Sequence, residues 1–401
     1  METPGRTRWL SAPVVGIGSA SFLSDLGHEV PTSLLPSFLT STLGAPAAAL
    51  GLIEGIADGA AGVAKLVGGG LADDPGRRRT VAVGGYVTTA LLSGAIGFAT
   101  AAWQVGVLRT GAWVARGVRG PSRNALLADA VPPVAYGRAY GFERAMDNLG
   151  AIFGPILAIE LVALTSVRTA IVLSVIPGLL AAAAIAYAAA RVVERPREHR
   201  PFSIRVGPVL RGPLRRILVG MGAFELGNVA ATLMILRATE LLASSRGEDS
   251  ATTIALGMYV AYNTVATLSS VVAGRFVDRR GPVGAMVLGV ALFLLAYVAL
   301  AITGVSIPLL LTGFVAAGAG IGAVETAENA VVARYAPEEI RGSSFGVLAA
   351  MQSGGNLIAS TGAGVLWTLV GGGWAFGVAA LWMGISIALL ISPLRRERNG
   401  T

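Results

Sequence analysis

Twelve runs of predominantly apolar residues follow one another along the chain, at 14–38, 47–71, 80–100, 103–120, 140–163, 169–190, 217–237, 251–274, 283–303, 306–326, 343–369 and 373–393. About 20 apolar residues in helical conformation cross the roughly 30 Å of hydrocarbon in a bilayer. In lipid the backbone must satisfy its own hydrogen bonds, which helices do within a single segment. The runs therefore predict an all-α membrane protein with twelve transmembrane helices. The chain is 54% hydrophobic and only 13% charged, against about a quarter charged in soluble domains. It has no cysteine, which excludes disulfides and thiolate chemistry. No nucleotide-binding loop is present, so direct ATP drive is not expected. No nucleophile, base and orienter stand at recognisable spacing, so the chain reads as a non-enzyme without a cofactor. The first apolar run reads as a retained span, since no small-residue cleavage site follows a short apolar core.

The arginines orient the spans. The net charge of +8 rests almost entirely on arginine, with Lys65 the single lysine. In a membrane chain such an excess marks cytoplasmic loops. Nucleic-acid binding would need a basic patch interleaved with aromatics, and none is seen. Even-numbered connections carry Arg77 to Arg79, then Arg119, Arg123 and Arg138, then the stretch from Arg191 to Arg216, then Arg275, Arg279 and Arg280, then Arg334 and Arg341. Odd-numbered connections are nearly bare, with Arg168, Arg237 and Arg246 the exceptions. Both termini are thus expected in the cytoplasm, in an inner-membrane protein. The basic segment 191–216 divides the spans into predicted bundles 1–190 and 217–401.

An internal repeat adds architecture. Gly69, Asp73 and Gly76 return 205 residues later as Gly274, Asp278 and Gly281. The same offset carries "RNALLADAVPPVAYGRAYG" from Arg123 onto "ENAVVARYAPEEIRGSSFG" from Glu328. "DLGH" at Asp25 is echoed by "ELGN" at Glu225, which adds Asn228 to the candidates. A duplicated six-helix unit joined by a cytoplasmic linker implies two bundles related by an axis along the membrane normal, with a site between them.

The stretch "GGLADDPGRRR" resembles the loop signature of the major facilitator superfamily, carried by Gly69, Asp73, Gly76, Arg77, Arg78 and Arg79. Asp74 departs from the pattern, standing where a basic residue is usual. The later copy keeps Gly274, Asp278, Arg279 and Gly281 but loses the arginine run. The resemblance implies two pseudo-symmetric six-helix bundles and secondary transport by alternating access. Gly141, Gly150, Gly154 and Pro155 resemble the superfamily's antiporter pattern, although Ala158 and Ile159 replace its last glycines. That implies export. In physical terms Gly69 lets two helices approach closely. Asp73 can accept from exposed helix N-terminal amides or pair with an arginine, forming a cytoplasmic latch. Gly76 is expected to permit a tight turn, and Arg78 to matter less than Gly69 or Asp73. Asp129, Glu143, Arg144 and Asp147 complete the expected cytoplasmic gate.

Spans three, six, nine and twelve have no charge in their interiors and read as peripheral. Charges inside the others are costly against lipid and so should face a cavity or a partner. Asp25, His28 and Glu29 share a broad face of the first helix. Their expected work is to carry a proton or hold a cationic substrate, with a plain salt bridge as the alternative. A metal site is not expected, because the only other histidine is His199 in the linker. Glu54 and Asp58 extend an acidic path along the second helix. Arg109 and Arg116 of the fourth should pair with Asp25 or Glu29, or bind an anionic substrate. Lys65 can snorkel. Tyr259, Tyr262, Asn263, Gln352 and Asn356 are the polar offerings of the eighth and eleventh helices. Glu325 and Glu328 close the tenth, where Glu328 reads as solvated at the membrane edge. The resulting expectation is a monomeric, proton-coupled exporter of small amphipathic or cationic molecules, coupled through Asp25 with Glu29 or Arg109 as partner. The alternatives are a carrier of a small organic anion held by Arg109 and Arg116, and a receptor or scaffold that does not transport.

Overall fold

The computed structural model describes residues 9–192, 200–211, 214–302 and 306–399. His199, parts of the expected linker and the two extreme termini lie outside the described residues. Among the described residues every regular element is helical. The first are α1 (Ala12–Ser37), α2 (Ala47–Ala72), α3 (Pro75–Ala95), α4 (Ala102–Ala130), α5 (Tyr136–Leu164), α6 (Val167–Leu173) and α7 (Val175–Ala189). A short α8 (Val206–Arg211) precedes α9 (Arg215–Gly227), α10 (Ala231–Arg246), α11 (Glu248–Arg280) and α12 (Pro282–Ala301). The last are α13 (Ile307–Tyr335), α14 (Arg341–Val370) and α15 (Gly372–Asn399). Eight described segments are long and apolar enough to cross a membrane: α3, α5, α6 with α7, α9 with α10, α11, α12, α13 and α15. The long helices below that mark are α1, α2, α4 and α14. Three of them carry Asp25, Glu54 and Arg109, and α14 is rich in Gly and Ser.

Local chemistry sets the boundaries. Asp74 accepts from the Gly76 amide at 2.9 Å and caps α3, with Pro75 at its first position. The residue that breaks the loop signature is thus a helix cap. Gly76 lies inside the first turn of α3 and has no positive φ, so the expected tight turn is not made there. Its repeat counterpart Gly281 does adopt φ +88°, where α11 gives way to α12. Two arginines that depart from the expected charge pattern close helix ends. Arg168 donates to the carbonyls of Gly97 and Ala99 at 3.0 and 2.7 Å, and Arg237 to that of Leu300 at 3.1 Å. Basic side chains satisfy orphan C-terminal carbonyls in this way.

Two expectations about helix extent are corrected. The fourth helix runs to Ala130, ten residues beyond the expected end at 120, so Arg119 and Arg123 are not loop arginines. Arg119 is buried inside the bundle, with its guanidinium stacked on the Tyr86 ring. The expected seventh span is broken between Gly227 and Ala231. The freed groups find partners: Ser360 Oγ accepts from the Ala230 amide at 3.0 Å, and Asn356 donates to the Asn228 carbonyl at 3.2 Å. Broken helices inside a membrane are tolerated where protein re-satisfies the backbone.

The chain clusters into two compact units, one comprising Met1–Val206 with Ala336–Val347, the other Gly207–Tyr335 with Leu348–Thr401. The first turns of α14 thus group with the first unit, whereas the sequence assigned them to the second bundle. In the first unit α1 packs on α5 and α7, α2 on α4, and α3 on α4 and α7. In the second α13 packs on α11 and α12, while α15 packs on α9 and α12.

Candidate functional site

Small residues determine how the charged side chains of the first unit are brought together. A Cβ on Gly150 of α5 would lie 2.9 Å from the Cβ of Asp25, and one on Gly154 would strike the Cβ of Glu29. The antiporter-like glycines therefore seat α5 directly against the acidic face of α1. Gly141 and Pro155 lie on the same helix. Asp25 is buried and forms an ion pair with Arg116 of α4 at 2.9 Å. Glu29 is the more open of the two acids, with a quarter of its side chain exposed and the His28 ring 3.7 Å from its carboxylate. Arg109 is fully buried and pairs with Glu54 at 3.0 Å, while also donating to Thr32 at 3.1 Å. Its guanidinium lies 3.5 Å from the centre of the Trp113 ring, against which His28 also packs at 4.3 Å. Trp113 in turn donates to Asp58 at 2.7 Å. A continuous polar layer results from α1, α2 and α4. The sequence pointed to its charges and missed Thr32 and Trp113, which carry no charge to mark them.

A second cluster lies toward the C-terminal end of α4 and in the first half of α5. Arg123 contacts Glu143 at 2.9 Å and Asp147 at 3.6 Å, and Arg144 contacts the same two acids at 2.8 and 3.2 Å. Ser21 of α1 donates to Glu143 at 2.6 Å. Removing any one member would leave a buried charge short of its partner. The signal for Arg123 was present as an arginine four residues after Arg119 on one helical face, but the early expected end of the helix hid it.

The latch residues gather at the start of α14. Asp73 accepts from both the amide and the hydroxyl of Ser343, the amide at 2.8 Å. Burial pushes the Asp73 carboxyl up from its ordinary range, and the two Ser343 hydrogen bonds pull it back. A Cβ on Gly69 would lie 2.9 Å from the Gly342 carbonyl and 3.0 Å from the Gly346 Cα, so only glycine lets the two backbones meet. Arg78 is buried, donates to the Ala72 carbonyl at 2.7 Å and pairs with Asp129, which Arg341 approaches at 3.7 Å. Arg77, whose side chain is exposed, pairs with the buried Asp74 at 3.2 Å. Arg78 is therefore a buried anchor. In the second unit Gly274 and Asp278 lie on α11, and the amides of Val283 and Gly284 at the start of α12 are met by Glu397 of α15, at 3.5 and 3.3 Å.

Of the second-unit candidates, Glu225, Asn228 and Asn356 meet at the break after α9. Asn228 donates to Glu225 at 3.2 Å, and Gly355 of α14 is so close that a Cβ there would strike Glu225. Asn263 donates to the Tyr259 carbonyl at 3.0 Å, and the rings of Tyr259 and Tyr262 stack 5.7 Å apart. Gln352 donates to Glu328 at 2.8 Å. Glu328 is wholly buried, which corrects its reading as a solvated residue at the membrane edge. No group of acidic or histidine side chains among the described residues is arranged to hold a metal ion.

Comparison with known proteins places this geometry. The family model described as Major Facilitator Superfamily matches residues 17–245 and 217–401. An uncharacterized protein of Mycobacterium tuberculosis is 29% identical over 356 residues, covering 86% of this chain and 84% of its own. An uncharacterized MFS-type transporter of Methanocaldococcus jannaschii is 25% identical over 366 residues, covering 90% of each. Among solved structures, a bacterial homologue of the iron transporter ferroportin in an outward-facing state superposes with a TM-score of 0.76 at 14% identity, covering 95% of this chain and 98% of that one. The human organic anion transporter MFSD10 superposes with a TM-score of 0.74 at 17% identity, covering 97% and 100%.

Proposed function

The chain belongs to the major facilitator superfamily, and we propose that it is a proton-coupled secondary transporter that exports small amphipathic or cationic molecules by alternating access. The observation that carries this reading is the 2.9 Å ion pair between the buried Asp25 and Arg116, whose side chain is about a third exposed. A proton arriving on Asp25 removes the charge that holds Arg116, so α1 and α4 lose this ion pair as the acid neutralises. A local charge change of this kind can bias an element with two arrangements. Export is supported by the glycines of α5 that seat it on Asp25 and Glu29. A cationic or amphipathic cargo is supported by Glu29, which meets no arginine within ion-pair distance among the described residues, and by the nearby Trp113 face. The anion reading is weaker, because Arg109 and Arg116 already hold Glu54 and Asp25. The arginine distribution supports an inner-membrane location with cytoplasmic termini, and the carrier works as a monomer in this reading.

The test is uptake of cationic dyes and organic acids into inverted vesicles, with and without an imposed pH gradient. Gradient-dependent accumulation of cations is the expected result. Accumulation of organic acids alone would overturn the cargo assignment, and accumulation indifferent to the gradient would overturn proton coupling.

A further inference from the structure

The 205-residue offset aligns Arg123 with Glu328 and Asp147 with Gln352. In the first unit these positions hold opposite charges, Arg123 and Asp147, 3.6 Å apart. In the second unit the same two positions are again in contact, through a 2.8 Å hydrogen bond from the Gln352 amide to Glu328 Oε2. The contact between helices is retained while its cation has become an acid and its acid an amide. The counterparts of Glu143 and Arg144 are Leu348 and Ala349, so the rest of the ion-pair cluster is gone as well.

Glu328 is left buried among groups that do not neutralise it. It is 0% exposed, and its Oε1 has no hydrogen-bond partner. The charged groups that reach it are acids, Glu225 on α9 and Glu325 one turn back on α13. The helices packed on α13 offer Tyr262 and an exposed Arg275 from α11 and Tyr297 from α12, while α14 offers uncharged Gln352. Among the described residues Glu328 forms no ion pair. An ionised carboxylate without a cation in such a place costs several kcal/mol, and a group so placed is stable only with a proton on it. A permanently protonated structural acid would spend its remaining oxygen on a partner, as buried polar atoms do. Here that oxygen is unspent.

We infer that Glu328 is a second proton-binding site of this transporter, lying in the second unit, with Gln352 as its positioning residue and its proton exchanged during the transport cycle. The inference builds on the proton-coupled reading and adds a site that Asp25 does not supply.

Infrared difference spectroscopy of the purified full chain in liposomes tests it with the proton as the only ligand. Wild type should show a protonated-carboxyl stretching band that disappears as pH is raised and is absent in Glu328→Gln, whose amide keeps the size of the side chain. Gln352→Leu should retain the band at higher frequency, since its hydrogen bond is gone. If Glu328→Gln does not fold, Glu328→Asp should show the band displaced. Identical protonated-carboxyl bands in wild type and either Glu328 variant would overturn the inference. So would a Glu328 band that ignores pH. Neither result touches coupling through Asp25, which is read from gradient-driven flux.

Discussion

Gly150 and Asp25 are joined across α5 and α1 by an approach so close that a Cβ on the glycine would lie 2.9 Å from the Cβ of the aspartate. The second repeat contains the same relationship: Gly355, 205 residues after Gly150, abuts Glu225, 200 residues after Asp25. Close glycine contacts make the tightest interhelical packing available in a membrane. Both acids are therefore fixed in depth and rotation by a glycine on a neighbouring helix.

Gly150→Val and Gly355→Val should each destabilise the protein by about 1–3 kcal/mol, the usual cost of overpacking. Thermal unfolding of the purified variants in detergent measures this. Unchanged unfolding temperatures in both would mean that the helices are not held as close as the glycines require.

Asp73→Asn should slow transport without loss of expression, because an amide keeps one acceptor for Ser343 but surrenders the charge that strengthens both hydrogen bonds. Ser343→Ala should have a smaller effect in the same direction, since the Ser343 amide remains. Gly69→Leu should be worse than either, given the backbone contacts of Gly69 with Gly342 and Gly346. Wild-type transport rates in Asp73→Asn would reduce the motif to a topology signal.

Arg78→Ala should chiefly lower stability. It strands Asp129 with the more distant Arg341 and removes a donor from the Ala72 carbonyl. Breaking a buried pair from one side costs about 3–5 kcal/mol. Comparison of detergent melting curves with those of Arg77→Ala, whose own side chain is exposed where that of Arg78 is buried, provides the control. Equal melting of the two variants would remove the case for a buried anchor.

The helical membrane fold was legible because hydrophobic length and the 205-residue repeat are long-range patterns that survive uncertainty at each boundary. The charged members of the first-unit layer were legible for a related reason, since charge inside an apolar run is conspicuous. Arg119 and Arg123 were misplaced because arginine is both the mark of a cytoplasmic loop and a member of buried ion pairs. Only the extent of α4, carried to Ala130 through Pro121, decides between them. The break between α9 and α10 was hidden because it is stabilised by Ser360 and Asn356, which lie far along the sequence. Glu328 was misread for the same reason: its burial depends on helices that its neighbours in sequence do not reveal.

The Asp25–Arg116 pair separates three ways in which the charged layer could work. If Asp25 carries the proton, Asp25→Asn should abolish accumulation driven by a pH gradient and preserve substrate exchange, which needs no net protonation cycle. Arg116→Gln would leave Asp25 buried without its cation, and should depress gradient-driven flux. If Glu29 instead holds a cationic cargo, Glu29→Gln should lose binding and exchange together, with Asp25→Asn still binding. If the arginines hold an anion, Arg116→Gln should lose binding while both carboxylate variants retain it. Binding and gradient-driven flux measured side by side for the three variants decide among these. The geometry favours the first, because Asp25 and not Glu29 is the acid of α1 that both meets an arginine and is locked by a glycine of α5 against rotating away from it. Full gradient-driven accumulation by Asp25→Asn would remove Asp25 from the coupling mechanism.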